Sequence, residues 1–373
     1  MKRLIIVILA AAVILSGCSA HAELNELAIA EAIGIDRAGD GYTVTLQYFN
    51  TDTTGGTTAI DSSQPNAVTV SGSGMTIESA LEAASYSCGK TVMPGSAGLI
   101  VFGKDAAFDL MDSLSFAASH YSGNPRAYIA VSETTAADIL NVKFSEGNAS
   151  VEKLEGLMKN AEALGMSRTV MLHEAAEMLC GPTQSVVLPM LEAVDCGSEL
   201  TEEGNTVTIT GGALCTGDRF AGSLPPGAMS GLCLLTDEGA TCEMTVKLRG
   251  EDVCLAVYGT DAKIAPSIEN GAMRFDVRLS ADCKIVSTQL SDPFGERGAV
   301  ERIAAAELEA RVSLFLEAIK RYGADAAGLS YKIRSYSPEM WKAVAGNYRE
   351  ALENAEFKVS CDLHLERFGI MHG

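Results

Sequence analysis

The chain has few basic residues for its length. Its 373 residues include 28 Lys and Arg against 48 Asp and Glu, for a formal net charge of −20. An acidic surface repels phosphate backbones, so we expect no nucleic-acid partner. Hydrophobic residues make up 47% and charged residues 20%, which excludes a disordered or collagen-like chain and indicates a globular body with a sizeable core.

The spacings of common metal and redox sites are also missing. The five His residues are scattered, and no two Cys residues form a C-x-x-C pair. These absences argue against a preassembled zinc site and against a thioredoxin-like redox site. The G-x-S-x-G elbow of many hydrolases is likewise absent.

Three local patterns come close to functional motifs without completing them. Gly98–Asp105 resembles a phosphate-binding loop, but its interior is an apolar β-branched run and Asp105 replaces the hydroxyl that would bind magnesium. His173–Glu177 lacks the second His of a zinc helix, and Ser150 of an S-x-x-K pattern is better placed to cap a helix. Trp341, the single Trp, lies on an apolar helical stripe and is predicted to be a core residue. We therefore predict no catalytic, cofactor-binding or metal-binding residues.

Only one hydrophobic run is long, and it lies near the amino terminus. Leu4–Leu15 follows Lys2 and Arg3 and would rise about 18 Å as a helix, less than a bilayer needs. The run ends in Leu15-Ser16-Gly17-Cys18, which resembles a bacterial lipobox. We predict that residues 1–17 are a lipoprotein signal peptide and that Cys18 carries diacylglycerol, which anchors the body on the extracytoplasmic face of a membrane. The alternative is an ordinary cleavage site with an unmodified Cys18.

Nine cysteines remain after Cys18, so they cannot all pair within one chain. We expect most of them to be buried thiols, while one or two disulfides within residues 196–283 stay open. The nine are Cys88, Cys180, Cys196, Cys215, Cys233, Cys242, Cys254, Cys283 and Cys361.

The order of hydrophobic patterns predicts an α+β protein of more than one domain, with mostly antiparallel sheets and packed helices. Residues 18–200 read as a mixed α+β domain and residues 201–373 as a second one. In the second domain, residues 206–290 alternate as short strands and residues 300–355 have the spacing of long amphipathic helices. A final strand is predicted over residues 357–367, and the absence of regular βαβ alternation argues against a Rossmann sheet.

Several segments of the mature chain are similar to one known family. Glu23–Asp36 reads E-L-N-E-L-A followed by G-I-D at the end of a strand, and this opening resembles the Ger(x)C family of spore germination lipoproteins, the C subunits of nutrient germinant receptors. Further similar segments are Leu188-Pro189, Ile209–Leu214, Gly222–Leu224, Gly231–Leu235, Tyr322–Asp325, Ser337–Trp341 and Arg367–Ile370.

The chain departs from that family in two places. The W-D-R-R-like segment that usually follows the lipid-bearing Cys is replaced by Ser19-Ala20-His21-Ala22, and Ala97-Gly98 stands where a His commonly precedes the next strand. The resemblance implies a non-enzymatic subunit on the outer face of the spore inner membrane. It would assemble with membrane-embedded receptor A and B subunits. Whether it contacts the nutrient directly is left open.

Two other classes share some of these features. A lipid-anchored solute-binding protein of an importer has the same lipobox, acidity and length. It would be expected to have two α/β lobes, whereas residues 206–290 read as strands without intervening helices. A secreted hydrolase would need a nucleophile, carboxylate pair or metal cluster that the sequence does not present.

Overall fold

The computed structural model describes residues 26–49, 67–119, 123–142, 150–195, 205–217, 219–237, 239–269, 272–293 and 295–366. In the N-terminal part, the strands and helices are β1 (Leu27–Ala38), β2 (Gly41–Phe49), β3 (Ala67–Gly74), α1 (Ile77–Cys88), β4 (Thr91–Met93), β5 (Leu99–Phe102), α2 (Leu110–Ser119), β6 (Tyr128–Ser132), α3 (Ala136–Leu140), α4 (Ser150–Ala163), α5 (Leu172–Cys180) and β7 (Ser185–Asp195). The C-terminal part continues with β8 (Asn205–Thr216), β9 (Arg219–Leu224), α6 (Pro226–Thr236), β10 (Cys242–Leu248), β11 (Glu251–Glu269), β12 (Ala272–Thr288), α7 (Arg297–Tyr322), α8 (Leu329–Tyr336), α9 (Pro338–Val344), α10 (Tyr348–Glu353) and β13 (Glu356–Leu365).

The first sheet has nine strands among the described residues, in the order β3-β2-β1-β5-β6-β7-β8-β9 with β4 beside the start of β1. Strands β1 and β2 form a hairpin, since they pair antiparallel and Gly39 turns the chain with a positive φ of 60°. In the centre, β1, β5, β6 and β7 run parallel, because helices return the chain between successive strands. The sheet is therefore mixed, and more parallel than the sequence suggested.

The second sheet has the order β10-β11-β12-β13 and carries the predicted alternation. Along β10, every second residue from Cys242 to Leu248 is buried, and the inner face of β12 contributes Phe275 and Val277. The first three strands pair antiparallel, whereas β13 is parallel to β12 because α7 to α10 return the chain to the same end. The α+β class is thus confirmed as two sheets with packed helices.

Helix α6 corrects the prediction that residues 206–290 contain strands alone. Every residue from Ala228 to Leu235 is buried in this helix. A helix that is apolar on all sides has no amphipathic stripe, so the periodicity that identifies surface helices gives no signal. The start of the helix was nevertheless readable, because Pro226 occupies a position at which proline favours a helix.

Helices α6 and α7 join the two sheets through one hydrophobic core. This core includes Leu214 and Leu224 of the first sheet, Met229 of α6, Phe275 of the second sheet and Phe315 of α7. The first sheet also continues past residue 200, because β8 and β9 add to β7. A domain boundary at residues 200–201 remains a prediction, and the second sheet itself begins only at β10.

The C-terminal helices follow their predicted signals with one difference. Helix α7 ends at Gly323 in the left-handed conformation, and Ser337 caps α9 by accepting a hydrogen bond from the amide of Met340 at 3.2 Å. The sequence predicted long helices over residues 300–355. A 3₁₀ turn at Ala345–Asn347 instead separates two short helices, α9 and α10, where Gly346 and Asn347 lower helix propensity.

Candidate functional site

The carboxyl edge of the parallel strands, where α/β sheets usually bind ligands, is filled by the chain itself. Asp36 lies two residues before the end of β1 and is 7% exposed. Its carboxylate accepts hydrogen bonds from the amides of Ala136, at 2.6 Å, and Ala137, at 3.1 Å, at the start of α3. Burial raises the pKa of Asp36, although these two hydrogen bonds favour the charged form. The G-I-D segment of the family resemblance therefore caps a helix.

The segment that resembles a phosphate loop lies at the same edge. Leu99–Phe102 forms the fully buried strand β5, as its apolar run predicted. A Cβ atom at Gly103 would overlap the carboxylate of Asp36, so strand and carboxylate approach closely. Lys104 pairs with Glu133 at 2.9 Å, an ion pair across the ends of β5 and β6. These contacts build a helix cap and a surface ion pair at the edge of the sheet.

The His173–Glu177 segment lies on α5, and its polar side chains make local contacts. A ring nitrogen of His173 contacts the carbonyl of Pro125 at 2.8 Å, and Glu174 accepts from the amide of Met171 at 2.8 Å. Helix α4 begins at Ser150, the position where the sequence predicted a helix start. Within the described part of the chain, three or more His, Cys, Asp or Glu side chains do not meet as a possible metal site.

A cleft among the described residues lies at the opposite, amino-terminal edge of the first sheet. This helix–sheet cleft has a volume of about 960 Å³. One wall is formed by residues 182–184 before β7 and by the turn between β8 and β9, the other by residues 323–325 and by α9 and α10. Most of its lining side chains are polar, with charges of both signs.

Asp325 organises the helical wall and is 2% exposed. Its two carboxylate oxygens accept from the amides of Leu329, at 2.7 Å, and Ser330, at 2.8 Å, at the start of α8. The hydroxyl of Tyr348 donates to the same carboxylate at 3.0 Å and so ties α10 to α8. Burial raises the pKa of Asp325, opposed by these hydrogen bonds. Burial also raises the pKa of Tyr348, and the neighbouring carboxylate adds to that shift.

Trp341 belongs to this wall as well as to the edge of the core. Its ring lies 5.3 Å from that of Tyr348, between centroids, and the guanidinium of Arg334 lies 5.5 Å from the Trp341 ring centre. The side chain is half-buried, packs against the second-sheet core and lines the cleft. Trp341 was predicted to be a core residue. It packs against the core as predicted, and the residue also lines the cleft.

Close contacts hold the two walls together. A Cβ atom at Gly222 of β9 would overlap the ring of Tyr322, the last residue of α7. Arg349 donates from Nη2 to the carbonyl of Tyr322 at 3.2 Å and from Nε to Glu353 at 3.2 Å. Gly222 and Tyr322, both part of the family resemblance, thus pack together beside the cleft residues Gly323 and Asp325.

Sequence reasoning did not assign Asp325 a role. One signal was available: an Asp placed between a helix-ending Gly323 and the next apolar helical stretch is suited to cap that helix. Its burial and its contact with Tyr348 depend on tertiary packing, and they have no local sequence signature.

The cysteines of the described chain are unpaired thiols, and four of these eight, Cys215, Cys233, Cys242 and Cys283, are buried, fewer than the majority that was predicted. Burial raises the pKa of Cys215 and Cys233 to about 12, which keeps these thiols protonated. The remaining free cysteines are Cys88, Cys180, Cys242, Cys254, Cys283 and Cys361. Cys196 and the predicted lipidation residue Cys18 lie outside the described residues.

Helices within the described ranges are too short or too polar to cross a membrane. Residues 1–25, which contain the predicted signal peptide, are not among them.

Comparisons with known proteins identify the family. Residues 20–193 match the model of the spore germination protein N-terminal domain, and residues 210–369 match the spore germination B3/GerAC-like C-terminal model. The chain is 24% identical to spore germination protein KC of Bacillus subtilis (strain 168), over 98% of this chain and 96% of that protein. Its fold resembles the crystal structure of the GerBC protein, with a TM-score of 0.59 and 16% identity over 92% of this chain and all of the other. The chain therefore belongs to the GerAC-like family of spore germination proteins, the C subunits of germinant receptors.

Proposed function

We propose that this protein is a non-enzymatic, lipid-anchored subunit of a nutrient germinant receptor on the outer face of the spore inner membrane. It acts by assembling with membrane-embedded A and B subunits and is required for nutrient-triggered germination. The observation that carries this proposal is the pair of spore germination family models, which together span residues 20–193 and 210–369. Similarity to spore germination protein KC over nearly the whole chain supports it.

The chemistry of the described residues is consistent with a binding role. The buried carboxylates Asp36 and Asp325 both accept hydrogen bonds from the amides at helix starts. Carboxylates engaged in this way hold helices in place and are not free to transfer protons to a substrate. The helix–sheet cleft supplies a concave surface of the size that binding requires.

The importer reading is less compatible with this architecture. A solute-binding protein closes two lobes about a hinge. Here α6 and α7 pack so closely that a Cβ atom at Gly231 would overlap the carbonyl of Arg311, and one hydrophobic core runs between the sheets. Such a body would have to break its core in order to open.

Affinity purification of the tagged protein from detergent-solubilised spore membranes tests the proposal. Mass spectrometry should identify two multi-span germination subunits in the wild-type eluate. An untagged strain is the control for nonspecific recovery. If an importer permease and ATPase are recovered without germination subunits, the protein is a solute-binding protein of an importer and the receptor assignment is wrong.

A further inference from the structure

The proposed anchor restricts how far the amino-terminal edge of the first sheet can lie from the bilayer. Eight peptide steps separate Cys18 from Glu26, the first described residue, and they span at most about 29 Å even when fully extended. Strand β1 begins at Leu27. One further step reaches Leu27, so the start of β1 stays within about 32 Å of the lipid-bearing residue.

The helix–sheet cleft lies at this same edge of the sheet. Strands β1, β5, β6 and β7 are parallel, so their starts share one edge. The registers Ala32↔Leu99↔Tyr128 and Val131↔Met190 place Ser185, the first residue of β7, level with Ala30, three residues from the start of β1. Three strand spacings of about 4.8 Å separate the two strands, which is about 14 Å. Gln184, directly before β7, and the β8–β9 turn belong to the cleft wall.

The opposite edge of the sheet is correspondingly remote from the anchor. Asp40 lies in the exposed turn that follows β1, at the far end of this strand. With a rise of about 3.3 Å per residue, the twelve residues of β1 extend roughly 40 Å from the anchored edge. The two ends of β1 thus define a proximal and a distal edge for any membrane-bound partner.

The lining of the cleft indicates the chemistry of its occupant. Small-molecule pockets are predominantly apolar with few polar groups, whereas this cleft presents mostly polar side chains. Arg219 on the sheet wall and Glu350 on the helical wall are both exposed. Charges of both signs on facing walls suit a polar peptide segment that carries complementary charges.

Lipid headgroups are a poor match for the body that carries the cleft. After removal of residues 1–17, the chain contains 48 acidic and 26 basic residues, which gives a formal charge of −22. Such a body is repelled by anionic lipid surfaces. A protein loop that extends from the membrane can contact the cleft without bringing the acidic body against the anionic lipid surface.

We propose that the helix–sheet cleft, held toward the membrane by the short tether, is the docking surface for a polar extracytoplasmic loop of a membrane-embedded partner protein. This inference rests on the proposed function and adds the surface through which assembly occurs. Arg219 and Glu350 contribute the charged contacts of the two walls. The distal edge of the sheet, including Asp40, stays free of the partner.

Site-specific photo-crosslinking in intact spore membranes tests the surface. Full-length variants carry p-benzoylphenylalanine in place of Asn347, an exposed residue of the cleft, or in place of Asp40 as the matched control. The expected result is an adduct from position 347 to an identified multi-span protein, mapped by mass spectrometry to one of its extracytoplasmic loops, and no such adduct from position 40. Adducts from position 40 alone, or from both positions equally, would overturn the docking surface.

Charge reversal supplies an independent measurement. Arg219→Glu and Glu350→Arg should each lower recovery of the multi-span partner by about tenfold, whereas Asp40→Arg should not change it. Unchanged recovery with both cleft variants would refute the cleft while leaving the receptor assignment intact, provided that the wild type recovers the germination subunits. If the wild type recovers none of them, the proposed function itself fails.

Discussion

Asp325 shows how one buried side chain defines a wall of the cleft. It joins the start of α8 to Tyr348 of α10 through three hydrogen bonds. A buried carboxylate in this position is stabilised by its donors and destabilised by the loss of water around its charge. The raised pKa shows that loss of solvation is the larger effect.

The raised pKa predicts a specific pH dependence of stability. Because the folded protein binds a proton at Asp325 more tightly than the unfolded chain does, the stability contributed by this group is full below the unfolded pKa. It is lost as the pH rises through the folded value. The unfolding free energy of the wild type minus that of Asp325→Asn should therefore fall over the pH range that begins at the unfolded value of about 4 and rises from there. Urea denaturation followed by Trp341 fluorescence measures both proteins.

A difference that stays flat over that range, or rises with pH, would contradict the shifted pKa. The matched control is Glu339→Gln, because Glu339 is exposed on α9, away from the Asp325 network. Its difference from the wild type should show no comparable fall.

At the scale of elements, the contact between α6 and α7 depends on a glycine. Gly231 lies where α6 crosses α7, and a Cβ atom there would overlap the carbonyl of Arg311 and lie 3.0 Å from Cα of Val312. Backbone atoms cannot turn aside as a flexible side chain can. The two helices would have to separate, and the core between the sheets would loosen with them.

Gly231→Ala should accordingly lower the unfolding free energy by about 1–3 kcal/mol. Gly156→Ala in α4 is the control, because a Cβ atom there meets nothing within 4 Å. That substitution should raise stability by about 0.5–1 kcal/mol, since alanine favours a helix more than glycine does. Equal effects of the two substitutions in chemical denaturation would refute the close crossing.

Helix α7 also protects the open edge of the second sheet. Glu309 accepts a hydrogen bond from the amide of Cys361 at 2.8 Å, and Glu301 accepts from the amide of Leu365 at 2.9 Å. Both amides belong to β13, the edge strand. The unpaired backbone amides of an edge strand can pair with a strand of another chain and so lead to aggregation. Here the two carboxylates accept the hydrogen bonds that a further strand would otherwise accept.

Glu309→Ala should speed hydrogen exchange at the Cys361 amide, measured by mass spectrometry on short peptides, because the amide loses its acceptor. Glu309→Gln retains an acceptor oxygen and should restore most of the protection. Glu317→Ala, at an exposed position of the same helix, is the control. Equal exchange in all three variants would mean that the carboxylate does not protect the edge.

At the scale of the whole molecule, charge is unevenly distributed. Positions 18–204 contain 25 acidic and eight basic residues, whereas positions 205–373 contain 23 acidic and 18 basic residues. The N-terminal part therefore carries most of the net charge. The N-terminal part contributes only the uncharged residues Pro182, Thr183 and Gln184 to the cleft, so the charged lining residues all come from the C-terminal part.

The anchor predicts where the whole molecule is found. Cys18→Ala should move the protein from the membrane fraction to the soluble fraction, because the two acyl chains that would hold the body are lost. Immunoblots of fractionated membranes measure this distribution. Cys180→Ala, at an exposed thiol, should leave it unchanged. If the Cys18→Ala protein stays fully membrane-bound, Cys18 is not the residue that anchors the protein.

Local patterns in the sequence determined much of this protein. Alternation indicated the strands of the second sheet, helical spacing indicated α7, and proline, glycine and capping residues marked several helix ends. The resemblance segments led to the family that the comparisons confirm. Tertiary structure alone decided which strands pair in parallel, that the buried run at Pro226–Thr236 is a helix, and that Asp325, Trp341 and Arg219 line one cleft. The physical reason is range: periodicity reports a residue's immediate neighbours, whereas strand order, burial on all sides and cavities arise from contacts between segments that lie far apart in the chain.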